Sequence, residues 1–136
     1  MRPFSYRDEG RVWLLNLLKD RGFKDLRETD RYAKWDLEGE KDGVKYIFEL
    51  KNRDFPHWKY NDLAVSYDKY LTLKDFPGKG IFVNFWDDFW TMIDVKTSEP
   101  AVFHTQGPKT TRFEDREIVD KTWASWKLTD IHLLTY

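Results

Sequence analysis

Apolar residues fall into blocks whose spacing switches between a helical and an extended period. The first block, VWLLNLLKDRGF, follows Ser5 and Asp8, which together have the form of a capping box, and Gly22 is a natural helix stop; a helix is expected over 5–21. Its apolar face is wide, so it should be largely buried. Next, YAKWDLEGE and GVKYIFELKN flank KDG. Asp-Gly between two strand-like runs signals a tight hairpin, because a type I′ turn needs positive φ at both central residues. Strands are expected near 32–39 and 44–52. Asn61 or Asp62 then caps a second expected helix, DLAVSYDKYLTLKDF, which ends before Pro77-Gly78. Leu63, Tyr67, Tyr70 and Leu71 give it an apolar stripe. GIFVNFW reads as a strand, Asp87-Asp88 as a turn, and FWTMIDV as another strand. An irregular stretch runs from Lys96 to about Thr111, with Pro100, Gly107 and Pro108, and EDREIVDKTWASW reads as a final helix. The order is helix, hairpin, helix, hairpin, loop, helix. That is a small α/β or α+β sandwich with helices packed on a mixed sheet.

Composition narrows this picture. A chain of 136 residues suits one domain over 1–136, and 40% hydrophobic with 18% aromatic content can fill its core. No window approaches the roughly 18 apolar residues of a membrane span, and MRPFSYRDEGR has no apolar signal core. The chain has no cysteine, which removes disulfides, thiolate zinc sites and thiol nucleophiles; an intracellular, cytoplasmic protein is the simplest expectation. Net charge is −1, so a polyanion site must come from local clustering. One cluster exists: KNRDFPHWKY holds Lys51, Arg53 and Lys59 among His57, Phe55, Trp58 and Tyr60.

Candidate chemistry centres on YIFELKNRDF. Side chains alternate along a strand, so Tyr46, Phe48 and Leu50 share one face while Ile47, Glu49 and Lys51 share the other. If Asp42-Gly43 is the turn, Lys41 pairs with Val44 and Asp36 comes to lie opposite Glu49. Two carboxylates so placed repel unless a cation sits between them, and a hard ion such as Mg²⁺ often takes only one or two protein carboxylates. Lys51 lies beside them, able to meet a phosphate oxygen or help position a water. A turn centred on Lys41-Asp42 would keep Asp36 on the same face as a diagonal neighbour; a slip of one residue would flip it away. Acid-x-Lys also arises without function, as Asp94-Val95-Lys96 illustrates. A surface strand with Glu49 and Lys51 facing water would need no role.

With Asp36, the spacer LEGEKDGVKYIF and Glu49-Leu50-Lys51 assembled, the chain resembles the PD-(D/E)XK nuclease superfamily, the restriction-endonuclease-like fold. The element order over 5–95 agrees with that family's core. RGF before the hairpin and YDKY in the second helix resemble small phage-type and Holliday-junction-resolvase-like members. Trp35 stands where many members carry proline. The resemblance implies a central mixed β-sheet flanked by helices in αβββαβ-like order, here with a C-terminal helix. It also implies Mg²⁺- or Mn²⁺-dependent hydrolysis of DNA phosphodiesters, and leaves a homodimer open. Asp36, Glu49 and the Leu50 carbonyl would ligate metal, Lys51 would orient water or stabilise charge, and Glu9 is the candidate for a further acid on the first helix. Arg53, Lys59 and Lys69 would contact phosphates. The alternative is a catalytically inactive module on the same fold that binds DNA or a protein partner.

Other chemistries fall away. His57, His104 and His132 lack a metal-ligand spacing, and neither a nucleophile elbow nor a phosphate-cradling glycine loop is present. Trp86, Trp90, Trp123 and Trp126 could stack on bases, but their spacing suits the core.

Overall fold

The computed structural model describes residues 2–5, 7–30, 32–106 and 121–136. Helix α1 spans Arg7–Asp20 and buries Leu14 and Leu18. It ends as Gly22 expects: Gly22 takes φ +89°, its N–H donates to Lys19 O, and Phe23 N–H donates to Leu18 O. These paired bonds satisfy carbonyls that the last helical turn leaves open.

Strands β1 (Lys24–Glu28), β2 (Leu37–Lys41) and β3 (Val44–Asn52) follow as an antiparallel meander. The β2–β3 turn has the predicted form, with φ of +52° at Asp42 and +77° at Gly43, and Lys41 opposite Val44. Beyond it, β4 (Asp62–Ser66) leads into α2 (Tyr67–Asp75), then β5 (Lys79–Phe85) and β6 (Trp90–Asp94). The central sheet runs β1-β2-β3-β5-β6, with β3 and β5 parallel and the other neighbours antiparallel. It is a mixed sheet flanked by helices, as expected. Strands β7 (Val102–Gln106) and β8 (Lys121–Lys127) join β4 in a second sheet, ordered β4-β8-β7.

Alternation along β3 and β5 splits the core into two layers. Phe48, Leu50, Ile81, Val83 and Phe85 pack with Leu14 and Leu18 of α1. Ile47 and Phe82 pack on the opposite face with Tyr70 and Leu73 of α2 and with Leu63, Val65 and Trp126 of the second sheet. Trp86, Trp90 and Trp126 are buried, in keeping with a core role.

Four expectations need correction. The expected second helix is a strand over Asp62–Ser66 and a helix only from Tyr67. Leu63 and Val65 alternate inward, a period of two that the helical stripe concealed. The expected C-terminal helix over EDREIVDKTWASW is strand β8 from Lys121 onward, paired on both sides, and 114–120 lie outside the described residues. The stretch expected to be irregular contains β7, while 107–111 lie outside the described residues. The strand expected near 32–39 starts only at Leu37, and the preceding strand is β1, whose KDLRE sequence has no apolar alternation and lies mostly exposed at the sheet edge.

Candidate active site

The candidate residues meet where the second sheet leans on β3. A cleft of about 210 Å³ is lined by Glu49, Lys51 and Arg53 of β3 and its end, by Ala64, Val65 and Ser66 at the end of β4, and by Lys69, Phe82 and Trp123. Strand alternation puts Glu49 and Lys51 on this side, as the sequence predicts. Glu49 is only 6% exposed, and the Lys69 ammonium reaches across from α2 to within 2.6 Å of its carboxylate. A buried carboxylate needs such a partner, because loss of hydration is otherwise uncompensated. The cleft lining therefore carries one acid and three basic side chains, Lys51, Arg53 and Lys69. That balance attracts an anion.

Arg53 has a defined task in the fold. Its guanidinium donates to Asn84 Oδ1 at 2.8 Å and to Ala64 O at 2.6 Å, joining the central sheet to β4. Burial lowers its pKa, and the charge of Asp62 partly offsets this. An arginine stays protonated regardless. Its positive charge thus stands fixed at the cleft wall.

Asp36 approaches from the other side of β3. The ladder register ends at Leu37 opposite Phe48, so one more step would bring Asp36 to Glu49. There the strand departs: Asp36 N–H donates to Phe48 O, and its carboxylate accepts the Leu50 N–H at 2.8 Å. The second carboxylate oxygen meets Arg11 of α1 at 3.2 Å. Asp36 is thus anchored to the backbone of the residue following Glu49, although it does not line the cleft. Leu50 itself is buried toward α1.

Glu9 and Lys59 lie apart from this cluster. Glu9 is exposed on the first turn of α1, where its carboxylate accepts the Ser5 N–H at 3.0 Å; the capping box expected for Ser5 and Asp8 rests on an Asp8 side chain outside the described ones. Lys59 sits on a short 3₁₀ turn, His57–Lys59, with its ammonium over the rings of Phe55 and Tyr60. His57 is held by Asp88 through both its backbone N–H and its ring Nδ1. Sequence reasoning missed Arg11 and Asn84, whose partners lie 25 and 31 positions away. It also missed Trp123 as a cleft wall, because its segment was read as helix.

The donor chemistry can be tested against a divalent ion. Among the described residues, no group of three or more His, Cys, Asp or Glu side chains is arranged to hold a metal. Mg²⁺ or Mn²⁺ does not require three, since one or two carboxylates with carbonyl and water oxygens suffice. A carboxylate at 6% exposure beside a cleft, with a second acid bonded to the adjacent backbone, is an oxygen donor set that suits such an ion.

No protein-family model matches the sequence, and no curated protein matches it. The fold is similar to the 1.6 Å structure of Archaeoglobus fulgidus Hjc, a Holliday junction resolvase from an archaeal hyperthermophile. The TM-score is 0.58 at 14% sequence identity, over 92% of this chain and 86% of that chain. The likeness is therefore one of fold, and it covers far more of the chain than the hairpin.

Proposed function

We propose that the protein is a metal-dependent nuclease that hydrolyses DNA phosphodiester bonds with a D…ExK site. The observation that carries this reading is the buried Glu49 carboxylate beside a basic cleft, with Lys51 on the same strand face and Asp36 bonded to the intervening Leu50 N–H. Likeness of fold to a Holliday junction resolvase supports it. Asp36, Glu49 and the Leu50 carbonyl would hold Mg²⁺ or Mn²⁺, which supplies Lewis-acid polarisation of a phosphoryl oxygen and a more acidic bound water.

The chain's own groups do the rest. Lys51 stabilises negative charge that develops on the phosphate. Lys69 and the fixed Arg53 charge draw the DNA backbone toward the cleft, and Lys59 extends the contact away from it; such contacts position the strand without reading sequence. Glu9 takes a supporting place at the start of α1 through its bond to Ser5.

Incubation with Mn²⁺ and a panel of linear, branched and single-stranded DNAs tests the reading. Cleavage is expected, and Asp36→Ala or Glu49→Ala should abolish it while the protein stays folded. Full activity in either variant would overturn the assignment.

A second reading is a non-catalytic module on the same fold that binds DNA or a protein partner. The ion pairs that engage both acids, Arg11–Asp36 and Lys69–Glu49, favour it. A melting-temperature rise with Mn²⁺ separates the two, since a ligand of the native state stabilises it. The nuclease reading expects a rise, and the module reading expects none.

A further inference from the structure

Both acids of the proposed site hold a cation supplied by the chain itself, and the two cations come from different helices. Lys69 Nζ of α2 lies 2.6 Å from Glu49 Oε1, and Arg11 Nη2 of α1 lies 3.2 Å from Asp36 Oδ1. The pairs differ in separation and in burial of the acid. The Glu49 side chain is 8% exposed against 21% for Asp36, while both cations keep access to water, Lys69 at 46% and Arg11 at 30%. Attraction between charges strengthens at short range and around a buried acid, so the Lys69 pair is the tighter of the two.

A divalent ion taking the same carboxylate oxygens meets positive charge already in place. Lys69 is the member able to yield: its side chain is 46% exposed and can swing its ammonium into water, while Glu49 is held in the β3–β5 ladder opposite Phe82. We propose that Lys69, and more weakly Arg11, compete with the divalent ion for the site and thereby set its metal affinity. The proposal rests on the nuclease reading only in taking Glu49 and Asp36 as metal ligands.

The test is calorimetric titration of Mn²⁺ into the full chain after treatment with chelator, comparing wild type with Lys69→Gln, Lys69→Arg, Arg11→Gln and Glu49→Gln. Glutamine keeps a hydrogen-bond donor for Glu49 but removes the charge. Lys69→Gln should bind Mn²⁺ about fivefold to tenfold more tightly, where tenfold corresponds to about 1.4 kcal/mol. Arg11→Gln should gain about twofold to threefold, because its pair is longer and its acid less buried. Lys69→Arg should stay near wild type, and Glu49→Gln should lose binding. If Lys69→Gln is less stable, the melting temperature with and without Mn²⁺ reads the same coupling, and its rise should exceed that of wild type.

Stoichiometric, Glu49-dependent binding in wild type with no tightening in Lys69→Gln would overturn the competition and leave the nuclease reading standing. Equal tightening in Lys69→Arg would overturn it too, since the charge is retained. Absence of Mn²⁺ binding in wild type, or equal binding in Glu49→Gln, would overturn both.

Discussion

The two faces of β3 carry different kinds of interior. Toward α1, Phe48 and Leu50 join a layer packed with aromatic rings: Trp13 meets Trp90, Phe85 and Tyr136 edge-on, and Phe4 meets Phe85 in the same way. The C-terminal segment closes this layer through paired backbone bonds between Trp90 and Leu134. Toward α2, the same strand buries Ile47 and then turns ionic at Glu49 and Lys51. One face is built for cohesion, and the other gives up packing at its end to hold charges near a cleft. The buried Glu49 carboxylate contributes little stability for its desolvation cost, which supports the chemistry proposed for this face.

Substitutions on the two faces should therefore fail differently. The largest stability loss belongs to the α1 face: Trp90→Ala removes a ring that is 2% exposed, and urea unfolding should report a loss of about 3–5 kcal/mol. Metal binding should be unaffected under conditions where the variant is folded. Gly80→Ala comes next, because an added Cβ would lie 2.1 Å from Leu73 O and force α2 away from β5. It should cost about 1–3 kcal/mol, and because α2 carries Lys69 it should also disturb the cleft, a combination that Trp90→Ala lacks. Arg53→Ala, which removes the bonds to Asn84 and Ala64, should cost about 2 kcal/mol. Thermal melts would show whether the joint between the two sheets loosens.

The smallest effect is pH-dependent and lies outside both layers. Burial raises the Asp88 pKa, but the ring and backbone bonds from His57 outweigh it, and the net shift is below the ordinary 3.8. A carboxylate whose folded-state pKa is depressed stabilises the fold above its unfolded pKa, and loses that contribution as pH falls through the folded value. Asp88→Asn should therefore be less stable than wild type at pH about 7. The gap should narrow below the ordinary 3.8, as urea titrations at neutral and acid pH can measure.

The same contrast explains what was legible in the sequence. Local rules gave the α1 end at Gly22, the Asp42-Gly43 turn, and the division of 46–51 into an apolar and an ionic face, because turn chemistry and alternation act over a few residues. The second sheet was not legible. Asp62 of β4 pairs with Lys127 of β8, 65 positions later, and nothing in DLAVS announces so distant a partner. Short segments of mixed pattern take their state from the neighbour they find. The candidate site divides in the same way. Glu49 and Lys51 followed from one strand, but the Arg11 and Lys69 partners did not, since each depends on how a helix docks.

The most direct measurement sets cleavage and stability of Glu49→Gln side by side, using DNA and Mg²⁺ with the wild type as reference. The substitution keeps side-chain shape and leaves no charge buried, because the half-exposed Lys69 ammonium can turn into water, so stability should stay within about 1 kcal/mol of wild type. On the nuclease reading, which takes Glu49 as a metal ligand, cleavage should fall by at least about a hundredfold. A Glu49→Gln protein that cleaves DNA at the wild-type rate, or one that merely unfolds while Trp90→Ala leaves the fold intact, would contradict the division of labour between the two faces.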